Sequence, residues 1–316
     1  MNIFLLLVGL ASILVGANFL TDGAAALAQR FRVPEFIVGL TVVAIGTSTP
    51  ELVVSVLSAI GGQSDMAVGN VVGSNLFNVF VILGVCALIR PLALSQDNIR
   101  RDIPVGLGAS LLLFVFASDK LLHLGAVDRI GRVEGIVMLL LYVAFLWYSV
   151  RTAGREGASK SADVRSPKPL WLTLGLVVVG LAALVGGGEL FLHHATVIAR
   201  KLGVSESVIA ITLVAGGTSL PELASSVVSL AKGKAGLALG NVLGSNVANI
   251  FLILGVSATI RPLTTGGITT LDLAMVVLSS ALLFVTAFTF RRRSVDRWEG
   301  AFFLAVYVAY IWYLIK

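Results

Sequence analysis

Gly46-Thr47-Ser48-Thr49-Pro50-Glu51 recurs as Gly217-Thr218-Ser219-Leu220-Pro221-Glu222. Gly69-Asn70-Val71-Val72-Gly73-Ser74-Asn75, with Asn78 beyond it, recurs as Gly240-Asn241-Val242-Leu243-Gly244-Ser245-Asn246 with Asn249. The offset is 171 residues throughout (217 − 46, and again 249 − 78), so the blocks align without a gap. Each copy sets a glutamate beside a proline inside an apolar stretch. An ionisable group at bilayer depth is costly, so such a residue marks a functional site by default.

The surrounding chain is built for lipid. Of its 316 residues 57% are hydrophobic and only 13% charged, where a soluble domain carries about 25% charged residues. Apolar runs of about 20 residues, separated by short charged patches, predict bilayer-spanning helices. The first run is long and has no basic stretch before it, which predicts a spanning helix rather than a cleaved signal. The single Cys86 lies in an apolar run, so no disulfide framework is expected. Net charge is +6, but its location argues for cytoplasmic loops rather than nucleic acid as a partner.

The expected fold is an all-α integral membrane protein with ten transmembrane helices in two inverted five-helix repeats. The helices are expected near 3–29, 36–61, 65–89, 102–118, 132–150, 170–199, 206–231, 236–260, 271–290 and 297–315. The repeat extends past the polar blocks: Glu35 aligns with Glu206, Asn18 with Glu189, and Arg90-Pro91-Leu92 with Arg261-Pro262-Leu263. The last helix of each half matches at the shorter offset of 165 (297 − 132), for example Trp147-Tyr148 with Trp312-Tyr313. Five is an odd number, so the second copy enters the membrane from the opposite face, an arrangement recurrent among secondary transporters. The organisation is thus a first repeat over 1–150, a linker over 151–169 and a second repeat over 170–316. Both aromatic pairs sit at helix ends and read as interfacial anchors.

Charge bias orients the array. Sixteen of the 23 basic residues, from Arg30 and Arg32 through the 151–169 linker to Arg297, fall on one side if the helices alternate. That side is expected to be cytoplasmic, with both termini extracytoplasmic in a plasma (inner) membrane.

Glu51 lies fifteen residues into its helix, roughly 22 Å at 1.5 Å per residue, which is near the midplane. Glu222 reaches the same depth from the other face, so inverted symmetry lets the two carboxylates meet. Thr47, Ser48 and Glu51 have the spacing of one helix face, as do Ser74 with Asn78 and Ser245 with Asn249. Pro50 and Pro221 each remove a helical hydrogen bond and displace the carbonyl four residues earlier. Broken helices at membrane depth are tolerated where the freed groups line a cavity or bind an ion. The donor set is hard oxygen, with no histidine or cysteine, which suits Ca²⁺; the same oxygens rearranged could hold Na⁺. Two facing carboxylates do not both stay charged without a cation, so protons are expected to compete with the metal. Gly69 with Gly73, and Gly240 with Gly244, form small-xxx-small faces for close helix packing.

These paired blocks resemble the alpha repeats of the calcium/cation antiporter superfamily, in particular prokaryotic sodium/calcium exchangers. The resemblance spans nearly the whole chain and implies alternating access, with the first and sixth helices sliding against the rest. It implies that Glu51 and Glu222 are shared Ca²⁺ and Na⁺ ligands. Ala44, Thr47, Ser48 and Ser74 would form one flanking sodium site, and Ala215, Thr218, Ser219 and Ser245 the other. Asn78 and Asn249 would stand next to the glutamates. The pattern departs at Asn249, where several relatives, potassium-dependent exchangers among them, carry aspartate; that disfavours a potassium requirement. Three Na⁺ per Ca²⁺, as the resemblance implies, would carry one charge inward, worth about 2.3 kcal/mol per 100 mV.

Blander and rival readings stand beside this one. The glutamates could merely hydrogen-bond a neighbouring helix, and the asparagines could be interhelical glue. Asn18 and Glu189 read as structural or gating residues. His123, His193 and His194 have no partners at metal spacing and read as boundary or cavity residues. The same glutamates could carry protons, which makes Ca²⁺/H⁺ exchange the nearest alternative and a cation channel a more distant one. No His-rich metal motif, Ser-His pair or P-loop points to an enzyme, and no cofactor is implied. The expected partners are Ca²⁺ and Na⁺, with H⁺ as the alternative coupling ion, and the lipid bilayer; one chain is expected to function alone.

Overall fold

The computed structural model describes residues 1–121, 127–156, 169–203, 215–265, 267–289 and 293–315. The described residues form eleven helices. The first half holds α1 (Asn2–Phe31), α2 (Glu35–Thr47), α3 (Thr49–Ile60), α4 (Ser64–Ile89), α5 (Ile103–Phe116) and α6 (Arg132–Glu156). The second holds α7 (Leu170–Lys201), α8 (Leu220–Ala231), α9 (Ala235–Ile260), α10 (Thr270–Thr286) and α11 (Arg297–Ile315). By length and composition α1, α4, α6, α7, α9 and α11 can each cross a membrane, and the bent pair α2 and α3 makes a seventh candidate span. The remaining three expected spans correspond to α5 with 14 residues, α8 with 12 and α10 with 17. The beginning of the span expected over 206–231 lies outside the described residues, as do His123 and most of the expected linker. Helix α6 continues to Glu156, into that linker.

The chain forms two compact units that cut across the sequence halves. The first comprises Met1–Thr49, Trp147–Gly244 and Ala305–Lys316; the second comprises Pro50–Leu146 and Ser245–Leu304. Each unit therefore mixes both copies of the repeat.

In the first unit α1 and α7 lie antiparallel, and glycine sets their separation. A Cβ on Gly9 would stand 2.9 Å from the Gly187 carbonyl oxygen, and one on Gly16 would stand 2.7 Å from that of Gly180. Gly9 aligns with Gly180 and Gly16 with Gly187, so one contact is the symmetry image of the other. Such close approach suits helices in lipid, where association rests on van der Waals packing and hydrogen bonds rather than on hydrophobic burial. Around this seam Ile13, Ala17, Leu20, Leu27, Val177 and Leu184 make a buried cluster with Val38 and Val43 of α2. Lysines of the α8–α9 turn tie down the neighbouring helix ends: Lys232 pairs with Asp22 at 2.7 Å, and Lys234 with Glu35 at 2.5 Å.

The second unit shows the same symmetry in its strands. Two-residue strands β1 (Leu92–Ala93), β2 (Arg129–Ile130), β3 (Leu263–Thr264) and β4 (Ser294–Val295) pair as β1 with β4 and β2 with β3, both antiparallel. Leu92 faces Val295 and Ile130 faces Leu263. The offsets of 171 and 165 carry each pair onto the other. Gly84 against Gly300 and Gly135 against Gly255 repeat the exchange, each pair meeting through a carbonyl oxygen. At every one of these contacts an element of one copy is completed by the other copy, which is why the halves do not fold as separate lobes.

Candidate functional site

The proline of each polar block acts as expected. Helix α2 ends at Thr47, α3 begins at Thr49, and the two are bent by 46°. Ser48 sits at the break with φ −81° and ψ 10°. Its equivalent Ser219 has φ −90° and ψ 9°, between a helical turn at Ala215–Gly217 and α8. Glu51 and Glu222 thus occupy the first turns of new helices, while Thr47 closes an old one. The end of a helix concentrates partial negative charge on its last carbonyls. The break also corrects one expectation: Thr47, Ser48 and Glu51 do not share a continuous helix face, because the helix they would share stops at Ser48. The hydroxyl of Ser48 instead donates to Oε1 of Glu222 at 2.9 Å, in the opposite copy.

Within the first unit, Glu222 is 1% exposed. Its Oε2 is buried and has no hydrogen-bond partner among the described residues. Thr47 and Ser48 are buried beside it, and the Ala44 carbonyl accepts the Ser48 N–H at 3.0 Å. Asn241, which lies four residues before Ser245, ties the cluster together. Its Nδ2 faces Ser225 Oγ at 2.8 Å, Ser226 Oγ at 3.0 Å and the Glu222 carbonyl at 3.3 Å. Its Oδ1 accepts the Thr47 hydroxyl at 3.1 Å. Ser219 is buried here as well, and Oγ1 of Thr218 is buried with no partner among the described residues. Ala215 starts the helical turn preceding them.

Within the second unit, Glu51 is also 1% exposed. Ser74 donates to its Oε1 at the long distance of 3.5 Å, and Asn70 donates to its main-chain carbonyl at 3.1 Å and to Ser55 at 2.9 Å. Helices α4 and α9 then change from α to π winding over Phe77–Leu83 and Ala248–Leu254, segments that align at the 171 offset. Such π segments are rare and frequently fall at functional sites. Each begins beside an asparagine pair. Asn78 Nδ2 donates to Asn246 Oδ1 at 3.0 Å, and Asn249 Nδ2 donates to Asn75 Oδ1 at 3.2 Å. With both amide nitrogens committed, the buried Oδ1 atoms of Asn78 and Asn249 have no partner among the described residues. The Ser245 hydroxyl has none there either. A buried acceptor without a donor costs about 1–3 kcal/mol, so this group of oxygens calls for a positively charged or protic guest.

Sequence reading missed Asn70, Asn241, Asn75, Asn246 and the serines 55, 225 and 226 as parts of these clusters. A signal is present: Asn241, Ser245 and Asn249 run at i, i+4 and i+8 along one helix, so the spacing that singles out the last two extends to the first. Asn18 bonds to its own helix at the Leu14 carbonyl, and Glu189 is exposed. His194 is buried edge-on against the exposed His193 at 5.0 Å. Among the described residues no three His, Cys, Asp or Glu side chains converge as a metal centre.

Known proteins resemble this chain along nearly its whole length. The family model described as sodium/calcium exchanger protein matches residues 1–151 and 172–316. The chain is 32% identical to the sodium/calcium exchanger MaX1 of Methanosarcina acetivorans, over 98% of this chain and 97% of that one. It is 35% identical to the inner membrane protein YrbG of Escherichia coli K12, over 82% of this chain and 79% of that one. Among solved structures, the sodium-calcium exchanger NCX_Mj soaked with 2.5 mM Na⁺ and 0.1 mM Ca²⁺ superposes with a TM-score of 0.84 at 31% identity, covering 98% of this chain and 97% of the other.

Proposed function

This chain belongs to the sodium/calcium exchanger family, and from that premise we propose that it is an antiporter exchanging Na⁺ for Ca²⁺ by alternating access. It is a multi-pass membrane transporter of an ion-exchanger family, not an enzyme. Glu51 and Glu222 supply the charge for the ions. Asn78, Asn249 and the hydroxyls of Thr47, Ser48, Ser74, Thr218, Ser219 and Ser245 supply neutral oxygen, with main-chain oxygen from Ala44 and Ala215. The observation that carries this reading is the pair of symmetry-related amides whose nitrogens are used and whose oxygens are left bare. That arrangement suits a dehydrated cation, because a hard ion takes oxygen lone pairs and repels N–H groups. The repeats run over 1–150 and 170–316, the 151–169 linker is cytoplasmic and both termini are extracytoplasmic, as the basic residues favour. A single chain is the working unit.

Everted membrane vesicles separate sodium from proton coupling. With the proton gradient collapsed, an imposed Na⁺ gradient is expected to drive ⁴⁵Ca²⁺ accumulation, and added K⁺ is expected to leave the rate unchanged. Accumulation that requires the proton gradient would assign the coupling to H⁺ instead.

Asn249→Asp tests the central position. The native amide donates to Asn75 Oδ1; an aspartate can do so only when protonated, and when ionised it sets oxygen against oxygen unless a cation intervenes. Exchange by this variant is expected to fall more steeply than wild type as pH is lowered, because a proton then both neutralises the new carboxylate and restores the lost bond. Flux measured across a pH series checks this, and a profile superimposable on wild type would make Asn249 a packing residue.

A further inference from the structure

We infer that Asn241 is a positioning residue for sodium, holding the Thr47 hydroxyl with its proton turned away from the ion. The inference rests on the exchanger reading above, in which Thr47 is a sodium ligand. A threonine hydroxyl has one hydrogen and two lone pairs. It ligates a cation only through the lone pairs, so its hydrogen must be taken by an acceptor elsewhere. Besides the Glu222 carboxylate, which also lies within reach and would itself face the cation, two acceptors lie near the Thr47 hydroxyl. Asn241 Oδ1 is at 3.1 Å, while the Ala44 carbonyl is at 3.4 Å and already receives the Ser48 N–H. Asn241 is the better placed of the two.

The orientation of the Asn241 amide is itself fixed. Its nitrogen faces three oxygens, and one of them, the Glu222 carbonyl, can only accept. Ser225 already donates its own proton to that carbonyl at 3.2 Å, so it too meets the amide with lone pairs. Turning the amide over would set Oδ1 against those lone pairs and place N–H groups on the Thr47 side. Asn241 is 1% exposed, so water does not compensate such a flip. The second unit repeats the nitrogen half of this pattern, Asn70 donating to the Glu51 carbonyl and to Ser55. These partners are the 171-offset equivalents of Glu222 and Ser226. One recurring arrangement therefore anchors an asparagine to the turn that carries each glutamate, and in the first unit the oxygen of that asparagine takes the Thr47 hydroxyl.

The test is a mutant cycle in proteoliposomes with two readouts: Na⁺ half-saturation of exchange, and Ca²⁺ half-saturation of Ca²⁺/⁴⁵Ca²⁺ self-exchange. Asn241→Ala is expected to raise the Na⁺ value about fivefold to tenfold, the effect of one hydrogen bond, and to change the Ca²⁺ value less than about twofold. Thr47→Val is expected to do the same, and the double variant to add nothing further, since the asparagine acts through the threonine. Should Asn241→Ala fail to reach the membrane, Asn241→Ser enters the same cycle. Additive effects, or Na⁺ and Ca²⁺ values rising together, would overturn the inference and leave Asn241 a structural residue. An unaltered Asn241 variant beside a sodium-dependent wild type overturns the inference alone; a wild type without sodium dependence overturns the exchanger reading and this inference with it.

Discussion

Glu222→Gln is expected to abolish exchange while leaving the protein inserted and folded, and Glu51→Gln to do the same. Glutamine matches glutamate in size, and its oxygen can keep the bond from Ser48 that Glu222 Oε1 now accepts. What changes is the other end of the group. The buried Oε2, which has no partner among the described residues, becomes an NH₂ that presents hydrogens where an ion would need lone pairs. A unit of negative charge is lost in a setting of low dielectric constant, where Coulomb energies far exceed their value in water. Outer-shell partners of bound metals are worth 10–100-fold in affinity or activity, so a direct ligand is expected to cost at least about a hundredfold. Sodium-driven ⁴⁵Ca²⁺ flux measures the loss, and elution as a single monodisperse peak in detergent shows that folding survives. Sodium-driven flux within tenfold of wild type in either variant would remove that glutamate from the site.

Much of this was legible in the sequence because the repeat is nearly exact where it matters. A constant offset of 171 announced two copies, and five helices per copy implied their inversion. Pro50 and Pro221 forecast breaks that fall two residues earlier, at Ser48 and Ser219. Local rules then ran out. The face shared by Thr47, Ser48 and Glu51 assumed a straight helix, which the same proline forbids. No periodicity rule signals the π segments at Asn78 and Asn249, since they arise when a helix takes one extra residue into a turn under tertiary packing. The partners Asn75 and Asn246 were hidden for a related reason: each is separated from the amide it completes by 174 or 168 residues. The seven-residue spacing of Gly9, Gly16 and Gly23, matched by Gly180 and Gly187, stands in the sequence without naming its partner. Its meaning lies in the α1–α7 seam, where two backbones meet without side chains between them.

Glycine also sets the second large effect. Gly240→Leu is expected to remove the folded protein from the membrane fraction, and Gly240→Ala to lower its thermal midpoint in detergent by about 10 °C. A Cβ at Gly240 would run into the Phe36 carbonyl oxygen and stand 2.9 Å from the Leu40 nitrogen; one at Gly244 would stand 2.8 Å from the Ala44 Cβ. The obstacles at Gly240 are main chain of α2, which cannot rotate aside as a flexible side chain would. Overpacking typically costs about 1–3 kcal/mol, and about 2–4 °C accompanies each kcal/mol in a chain of 150–250 residues. The upper end of that range applies where backbone meets backbone. Gly106→Ala is the control, because a Cβ there meets nothing within 4 Å among the described residues. The same substitution reaches the site as well. Gly240 immediately precedes Asn241, and α2 carries Thr47, so forcing α9 from α2 stretches the 3.1 Å bond between those two side chains. Gly240→Ala that remains folded is therefore expected to show a raised Na⁺ half-saturation besides its lower midpoint. A variant as stable as wild type would mean that α2 and α9 are not packed backbone to backbone in the membrane.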